Sequence, residues 1–194
     1  MSDFRTTKEN PSDVRYQQPE TIKVLLIEDN PGDTRLVKEM LTNAGENKFS
    51  LVHVGLIKES LVLLKDEHYQ VILLDLTLPD GHGLDNLRQV CTVAPHLPVV
   101  ILTGLDDETT AIRAVREGAE DYLVKGQMDN NLLVRAVRYA IERKRAKEAL
   151  RESEERYRTI LEEMAEGYFE TDLAGKITFI NDAGAKIWDT PGKN

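Results

Sequence analysis

The sequence predicts an α/β protein with a doubly wound parallel sheet, and three features of the chain support this prediction. Short aliphatic runs alternate with segments of helical periodicity from residue 21 to residue 143. A run such as VILLD at 71–75 is apolar up to its final acid, which is typical of a strand covered on both faces. Polar residues close several of the runs, as expected where the strands of a parallel sheet end at one edge.

Strands and helices alternate five times along this part of the chain. Apolar residues recur every three or four positions in each helix, as in an amphipathic helix packed on a sheet. Five such units in about 120 residues fit a flavodoxin-like (βα)5 fold with strand order 2-1-3-4-5, rather than an eight-unit barrel. The predicted strands are IKVLLIED, FSLVHV, VILLD, VVILT and DYLV, and the helices after them carry Leu36, Ile57, Leu84, Ile112 and Leu133.

The composition excludes several classes of protein. Residues 1–20 are polar and lack the apolar segment of a secretory signal, so we expect a disordered tail. No stretch approaches the ~20 apolar residues that span a bilayer, so we expect a cytoplasmic protein without a membrane partner. The formal net charge of -9 argues against a nucleic-acid surface and favours a protein partner. Cys91 is the sole cysteine and the histidines lack metal-ligand spacing, so no transition-metal site is predicted.

The segment at residues 144–166 differs from the domain before it, at residues 21–143. It carries both charge signs and contains neither proline nor glycine, and its apolar residues recur at alternating steps of three and four. This seam is close to the 3.5-residue repeat of a coiled coil. We predict a parallel homodimer through a helix continuous with the last helix of the sheet domain; a solvated charged helix is the alternative. The seam consists of Leu132, Ala136, Tyr139, Arg143, Ala146, Leu150, Ser153, Tyr157, Ile160 and Met164.

The chain changes character again at residues 167–194. Two short β-type runs, YFETD and KITFIND, flank Gly175, which predicts a hairpin, and AGAKIW begins a helix. About thirty residues cannot bury a stable core of their own, so we expect an incomplete α+β domain.

The predicted strand ends carry the candidate chemistry. Glu28 and Asp29 close the first strand, Asp75 the third, Thr103 the fourth and Lys125 the fifth. Each residue alone has an ordinary explanation, as a helix cap, a hydroxyl bonded to the backbone or a solvated lysine. At one sheet edge, however, clustered carboxylates repel one another unless a cation neutralises them, and oxygen ligands suit Mg²⁺. With Mg²⁺ bound, Asp75 becomes a nucleophile towards a phosphoryl group, whose oxygens the lysine and the hydroxyl stabilise.

Four stretches resemble the receiver domain of bacterial response regulators. They are EDN at 28–30, LLDLTLPDGHGLD at 73–85, ILTG at 101–104 and DYLVKG at 121–126. The resemblance spans about residues 22–143. It implies a domain of two-component phosphorelay signalling that receives a phosphoryl group from a protein.

The resemblance assigns roles at the acidic end of the site. It implies that Asp75 takes the phosphoryl group from a phosphohistidine on a histidine kinase or phosphotransfer protein. By the same resemblance Asp29 binds Mg²⁺ directly, Glu28 binds it mainly through water, and the Thr77 backbone carbonyl is a further metal ligand.

The resemblance also implies a conformational switch. Thr103 and Tyr122 match the pair in which the hydroxyl moves to the phosphoryl group and the ring turns inward. Two positions depart from the usual family pattern: Gly126 replaces the proline after Lys125, and Gly104 replaces the alanine that often follows the threonine. Neither departure removes a reacting group.

The rest of the chain resembles a signalling helix that enters a PAS sensory domain. The stretch is LRESEERYRTILEEMAEGYFETDLAGKITFINDAGAKIW, with the signalling helix at 144–166 and the start of the PAS domain at 167–194. About the first third of a PAS domain is present, so we expect a truncated domain with no complete ligand pocket and assign it no cofactor.

Three classes of function follow from these observations. In the first, phosphorylation of Asp75 changes the dimer geometry of the C-terminal helix and regulates a PAS-linked output. In the second, the chain is the N-terminal regulatory part of a hybrid sensor histidine kinase or nucleotide cyclase, although these residues contain no kinase or cyclase motif and are not predicted to be an enzyme. In the third, the domain is a dimerisation module that is not phosphorylated. A transcription factor is less favoured because no helix-turn-helix follows the sheet domain.

Overall fold

The structure is a computed structural model, and it describes residues 21–45, 48–66, 68–104 and 108–188. The tail predicted to be disordered, at residues 1–20, lies outside the described residues. The chain divides into two compact units, which we call the first unit (Met1–Ile141) and the second unit (Glu142–Asn194).

The first unit alternates strands and helices as predicted. Its elements are β1 Ile22–Ile27, α1 Pro31–Thr42, β2 Phe49–Val54, α2 Ile57–Asp66, β3 Val71–Asp75, β4 Thr77–Leu78, β5 Gly81–His82, α3 Leu84–Val93, β6 Val99–Thr103, α4 Glu108–Arg116, β7 Asp121–Val124 and the start of α5 Asn130–Glu163. The five longer strands are parallel and lie in the order β2-β1-β3-β6-β7. This order is the predicted 2-1-3-4-5 once the two-residue strands are set aside, so the predicted flavodoxin-like fold is confirmed.

The helices cover both faces of the sheet, which explains the apolar runs of its central strands. In β1, Leu25 and Ile27 pack in one core cluster with α2 and α3. The alternating residues Val24 and Leu26 pack in a second cluster with α1 and α5. Because successive side chains of a strand point to opposite faces, a strand with a core on each side is apolar at every position.

A short antiparallel ribbon of β4 and β5 follows β3 and was not predicted. Its close packing depends on Gly81, since a Cβ at that position would overlap the Asn86 side-chain amide. The Gly83 N–H donates to the Leu76 carbonyl at 2.8 Å and closes the ribbon. The ribbon therefore fixes the backbone immediately after Asp75.

The second unit contains the C-terminal part of α5, a hairpin and a short helix. The hairpin strands are β8 Phe169–Thr171 and β9 Ile177–Ile180, and the helix is α6 Asp182–Trp188. Gly175 lies in the turn with φ of 81°, a conformation that glycine adopts without strain. The hairpin agrees with the sequence prediction.

One buried amide, that of Asn181, connects the parts of the second unit. Its nitrogen donates to the carbonyls of Leu161 at 2.8 Å and Glu166 at 2.9 Å. Its oxygen accepts from the backbone N–H groups of Tyr168 and Gly184, each at 2.8 Å. Asn181 is fully buried, so this single side chain links the end of α5 to both the hairpin and α6.

The seam residues of α5 in the second unit are exposed. Leu150, Tyr157 and Ile160 have exposed fractions of 61%, 53% and 54%. Such an apolar row is what the predicted dimer would cover, and the dimer stays a prediction. Within the described ranges, no helix combines the length and apolar character that crossing a bilayer requires.

Candidate functional site

Two neighbouring strands bring three carboxylates together. Ile27 at the end of β1 pairs with Leu74 of β3, so the acids that follow them come from adjacent strand ends. One ligand oxygen from each of Glu28, Asp29 and Asp75 lies within 4.8 Å of the others. The acids that the sequence analysis assigned to one sheet edge therefore meet there.

The ammonium of Lys125 lies among these acids. The residue follows β7 in a short 3₁₀ turn, Lys125–Gln127. Its Nζ atom contacts Glu28 Oε2 at 2.6 Å, Asp75 Oδ2 at 2.7 Å and Asp33 Oδ2 at 2.8 Å. Two of these contacts are hydrogen bonds, to Asp33 and Asp75, and the contact with Glu28 is an ion pair. Asp33 was not among the predicted site residues.

Burial shifts the pKa values of both charged groups at the centre of this site. Glu28 is fully buried, and burial raises its pKa to about 7, although its interaction with Lys125 opposes the shift. Burial alone would lower the pKa of Lys125, but its interactions with the Asp33, Asp75 and Glu28 carboxylates outweigh burial and raise that pKa above its ordinary value. The lysine therefore stays positively charged at neutral pH.

Both carboxylate oxygens of Asp75 are held in place. Oδ1 accepts from the Thr77 N–H at 2.8 Å, and Oδ2 accepts from Lys125. Asp75 is 7% exposed, so its carboxylate is nearly enclosed and still meets solvent. Thr77 is the first residue of β4. Its backbone carbonyl is the predicted metal ligand.

Thr103 lies on β6, next to β3, and Tyr122 lies on β7, the strand beyond β6. Thr103 ends β6 and is 2% exposed, and its hydroxyl donates to the Gly104 carbonyl at 3.3 Å. Tyr122 lies on β7 opposite Ile101 and is partly buried against the core. Thr103 is therefore at the carboxyl end of the sheet, whereas Tyr122 lies two residues before the end of β7.

The two glycines that depart from the family pattern occupy different surroundings. Gly126 lies in the 3₁₀ turn that carries Lys125. A Cβ at Gly104 would meet no atom of the described residues within 4 Å.

The backbone between β1 and α1 is fixed by local hydrogen bonds. Asn30 caps α1, with its side-chain oxygen accepting from the Gly32 N–H at 2.8 Å, and its own N–H donates to Glu28 Oε1 at 3.1 Å. The His53 Nε2 atom lies 2.7 Å from the Glu28 carbonyl and 3.1 Å from the Thr34 hydroxyl. These contacts hold Glu28 in its buried position before α1 begins.

The donor set fits a small divalent cation. All three ligands that converge are carboxylates, the oxygen donors that Mg²⁺ prefers. The like charges of Glu28 and Asp75 contribute to the raised pKa of Glu28, and positive charge at this point would offset them. Asp29 is exposed, so the cluster is open to solvent on one side.

The sequence reasoning missed Asp33 and His53 at this site. Asp33 lies in the first turn of α1, where acids are common because they stabilise the start of a helix, so the sequence did not mark it as a site residue. The sequence did not mark His53 either, because its partner is the backbone carbonyl of Glu28, twenty-five residues away in the chain.

Two family models match parts of the chain. A family model described as the response regulator receiver domain matches residues 24–138. A second model, described as a PAS domain, matches residues 155–193.

Individual proteins agree with the first of these matches. The cell cycle transcriptional regulator CtrA of Caulobacter vibrioides is 33% identical over 114 residues, which are 59% of this chain and 48% of that protein. The chain thus spans about half the length of the curated relatives it matches. A crystal structure of a response regulator receiver domain protein from Clostridium thermocellum is 31% identical, has a TM-score of 0.57 and covers 64% of this chain and 98% of its own.

A more distant structure supports the fold alone. The receiver domain of a sensor histidine kinase from Pseudomonas aeruginosa, solved with a magnesium ion coordinated in its active site cleft, is 23% identical with a TM-score of 0.55. It covers 63% of this chain and 98% of its own.

Proposed function

Because this chain belongs to the response-regulator receiver family, we propose that Asp75 accepts a phosphoryl group from a phosphohistidine on a histidine kinase or phosphotransfer protein. One observation carries this proposal. The Asp75 carboxylate ends a buried parallel strand with one oxygen bonded to a backbone N–H and the other to Lys125, beside two further carboxylates. A nucleophile, a fixed cation and a cation-binding cluster are the parts that phosphoryl transfer requires.

In the proposed reaction, an Asp75 oxygen attacks phosphorus and forms a C–O–P linkage while the P–N bond of the donor breaks. The departing imidazole keeps the electron pair of that bond and takes a proton from solvent. Lys125 donates to the phosphoryl oxygens, and the Thr103 hydroxyl moves to them as the charge develops.

We propose Mg²⁺ as the cation of this site. Asp29 and Asp75 would hold it directly, together with the Thr77 carbonyl, and Glu28 would hold it mainly through water. When bound, Mg²⁺ supplies positive charge that offsets the carboxylates and the phosphoryl oxygens. The mutual repulsion of the buried acids supports this assignment.

The response to phosphorylation would pass through Thr103, Tyr122 and the C-terminal helix. In this proposal the Tyr122 ring turns inward when the hydroxyl moves, and a homodimer through the α5 seam changes its geometry. The exposed row of Leu150, Tyr157 and Ile160 supports a paired helix. The matched PAS segment is the proposed recipient of that change, and we place the protein in the cytoplasm.

We propose that these residues have no catalytic turnover of their own beyond gaining and losing the phosphoryl group. The protein partner would be the phosphoryl donor, with neither nucleic acid nor membrane as a partner of the described segments. The net charge of -9 supports the absence of a nucleic-acid partner, because a surface that binds the phosphates of a nucleic acid needs basic residues.

The test is the intact mass of the wild type and of Asp75→Asn after incubation with acetyl phosphate and Mg²⁺, with a matched sample in EDTA. We expect a phosphoryl adduct on the wild type that both EDTA and the substitution abolish. A phosphorylated histidine-containing protein is the second donor, because some receivers require their protein partner. No adduct from either donor would favour a dimerisation module that has kept the residues without the chemistry.

A further inference from the structure

Asp33 lies in the first turn of α1 and reaches across the site to Lys125. Its Oδ2 atom is 2.8 Å from the lysine Nζ, across a separation of 92 residues in the chain. The side chains of Lys125 and Asp33 are 17% and 29% exposed, so the pair lies at the mouth of the site and not on the open surface. A partly buried charge-assisted bond of this kind is stronger than a surface ion pair.

An ordinary helix-capping role does not account for this side chain. An acid at this helix position commonly accepts the N–H of the capping residue. Here the Asn30 N–H donates to Glu28 instead, and the Asn30 side chain itself caps the Gly32 N–H. The Asp33 carboxylate is thus available to the lysine.

Asp33 also differs from the other two acids that contact Lys125. Glu28 and Asp75 belong to the cluster that could bind a metal ion, and Asp75 is the proposed phosphoryl acceptor, whereas the cluster does not include Asp33. When Asp75 becomes an acyl phosphate, its carboxyl loses its negative charge and attracts the ammonium less. A metal ion would compete with the ammonium for Glu28.

We propose that Asp33 is a positioning residue that anchors the Lys125 ammonium throughout phosphoryl transfer. This inference rests on the proposed function of Asp75. As the other two contacts weaken, the bond to Asp33 keeps the lysine at the mouth of the site and leaves its remaining N–H groups for the phosphoryl oxygens. Asp33 itself touches neither the phosphoryl group nor the metal ion.

The first test is a double-mutant cycle on the rate of Asp75 phosphorylation by acetyl phosphate. Asp33→Asn should slow the reaction roughly tenfold, the size of effect expected from weakening one hydrogen bond to a charged group. In the Lys125→Ala background the same change should have no further effect, because the anchored group is gone. Glu39→Gln is the control, since it removes one negative charge from the exposed side of α1. Equal fold-changes in both backgrounds, or a faster reaction of Asp33→Asn, would overturn the inference.

The second test follows the Lys125 ammonium itself by nitrogen–proton NMR without any phosphoryl donor. We expect its protons to exchange slowly with water in the wild type and in Glu39→Gln, and faster in Asp33→Asn, with partial recovery in Asp33→Glu. Unchanged exchange in Asp33→Asn would show that the other carboxylates suffice and that Asp33 is no anchor. Because this measurement needs no phosphorylation, a wild type that takes no phosphoryl group would overturn the proposed function alone.

Discussion

The two units of this chain are stabilised by different means. In the first unit, whole strands such as β3 are buried at every position and pack in two apolar clusters. In the second unit, large apolar side chains such as Leu150, Ile187 and Leu173 are exposed, while the fully buried Asn181 joins the segments through four hydrogen bonds. The first unit is therefore stabilised mainly by burial of apolar area, whereas in the second unit the hydrogen bonds of one polar side chain join the helix to the hairpin.

The strongest test of this difference replaces the same residue type in each unit. Leu73→Ala, in the buried strand β3, should lower the free energy of unfolding by about 2–5 kcal/mol because it leaves a cavity in a packed core. Leu173→Ala, at the exposed hairpin turn, should change it by less than ~0.5 kcal/mol. Urea unfolding followed by circular dichroism measures both. Similar losses for the two variants would contradict the comparison.

A second test removes the four side-chain hydrogen bonds of Asn181 in the second unit. Asn181→Ala should destabilise that unit by about 1–3 kcal/mol, because buried carbonyls and N–H groups lose their partners. Hydrogen exchange of amides should accelerate in residues 166–188 and stay unchanged in the first unit. Asn181→Asp keeps the acceptor but buries a carboxylate oxygen against the carbonyls of Leu161 and Glu166, so we expect a loss at least as large. Faster exchange across the β-sheet as well would mean that the two units do not unfold separately.

A third test measures how much a side-chain to backbone hydrogen bond contributes in the first unit, which has an apolar core. The Asp80 carboxylate accepts from the backbone N–H groups of Ile57 at 2.9 Å and Lys58 at 3.1 Å, at the start of α2. Asp80→Ala should lower the free energy of unfolding by about 0.5–2 kcal/mol, as the loss of a helix cap does. The loss should be smaller than that of Leu73→Ala. A larger loss would mean that these hydrogen bonds contribute more to the stability of the first unit than the buried leucine does.

The contribution of Asp80 should also depend on pH. Slight burial raises the pKa of Asp80, but the two backbone hydrogen bonds outweigh it and hold the pKa below its ordinary value. A carboxylate with a lower pKa in the folded than in the unfolded state stabilises the fold above the unfolded pKa, about 3.9, and loses this effect as the pH falls through the folded pKa. The difference between the wild type and Asp80→Asn should therefore be constant near pH 7 and shrink below about pH 4. A difference that grows on acidification would contradict this assignment.

The smallest effect on stability is expected for the exposed seam. Leu150→Ala should change the unfolding free energy of the first unit by less than ~0.5 kcal/mol, because the side chain is 61% exposed. The same substitution should weaken self-association, measured by sedimentation over a range of protein concentrations. Glu152→Gln, off the seam, is the control. Unchanged association in Leu150→Ala would favour the solvated charged helix over the proposed dimer.

Most of the first unit could be predicted because its signals are periodic. Apolar runs and helical spacing indicated the five strands and their order, and the parallel topology then brought Glu28, Asp75 and Lys125 to one edge. The ribbon of β4 and β5 was missed because strands of two residues are too short to show a period. A close approach such as that of Gly81 to Asn86 likewise leaves no pattern in the sequence.

The polar contacts that the sequence did not reveal share one physical cause. Asp33 and Asn181 each bond to groups far away in the chain, and an acid in a first turn or an asparagine before a helix has a common local explanation. Hydrogen bonding requires a distance and an angle between particular atoms, which the order of residues does not encode. The metal and switch roles of Thr77 and Tyr122 stay predictions for the same reason.

The hydrogen bonds of Asn181 restrict how this region can diverge in related proteins. Aspartate lacks the two donors, glutamine is one methylene longer, and leucine has neither donor nor acceptor, so no other side chain reproduces the same four bonds. A Cβ at Gly184 would lie 3.0 Å from the Asn181 oxygen, which couples the two positions. We therefore expect descendants that keep this architecture to inherit the spaced pair Asn-x-x-Gly together, and to lose both positions together when the architecture changes.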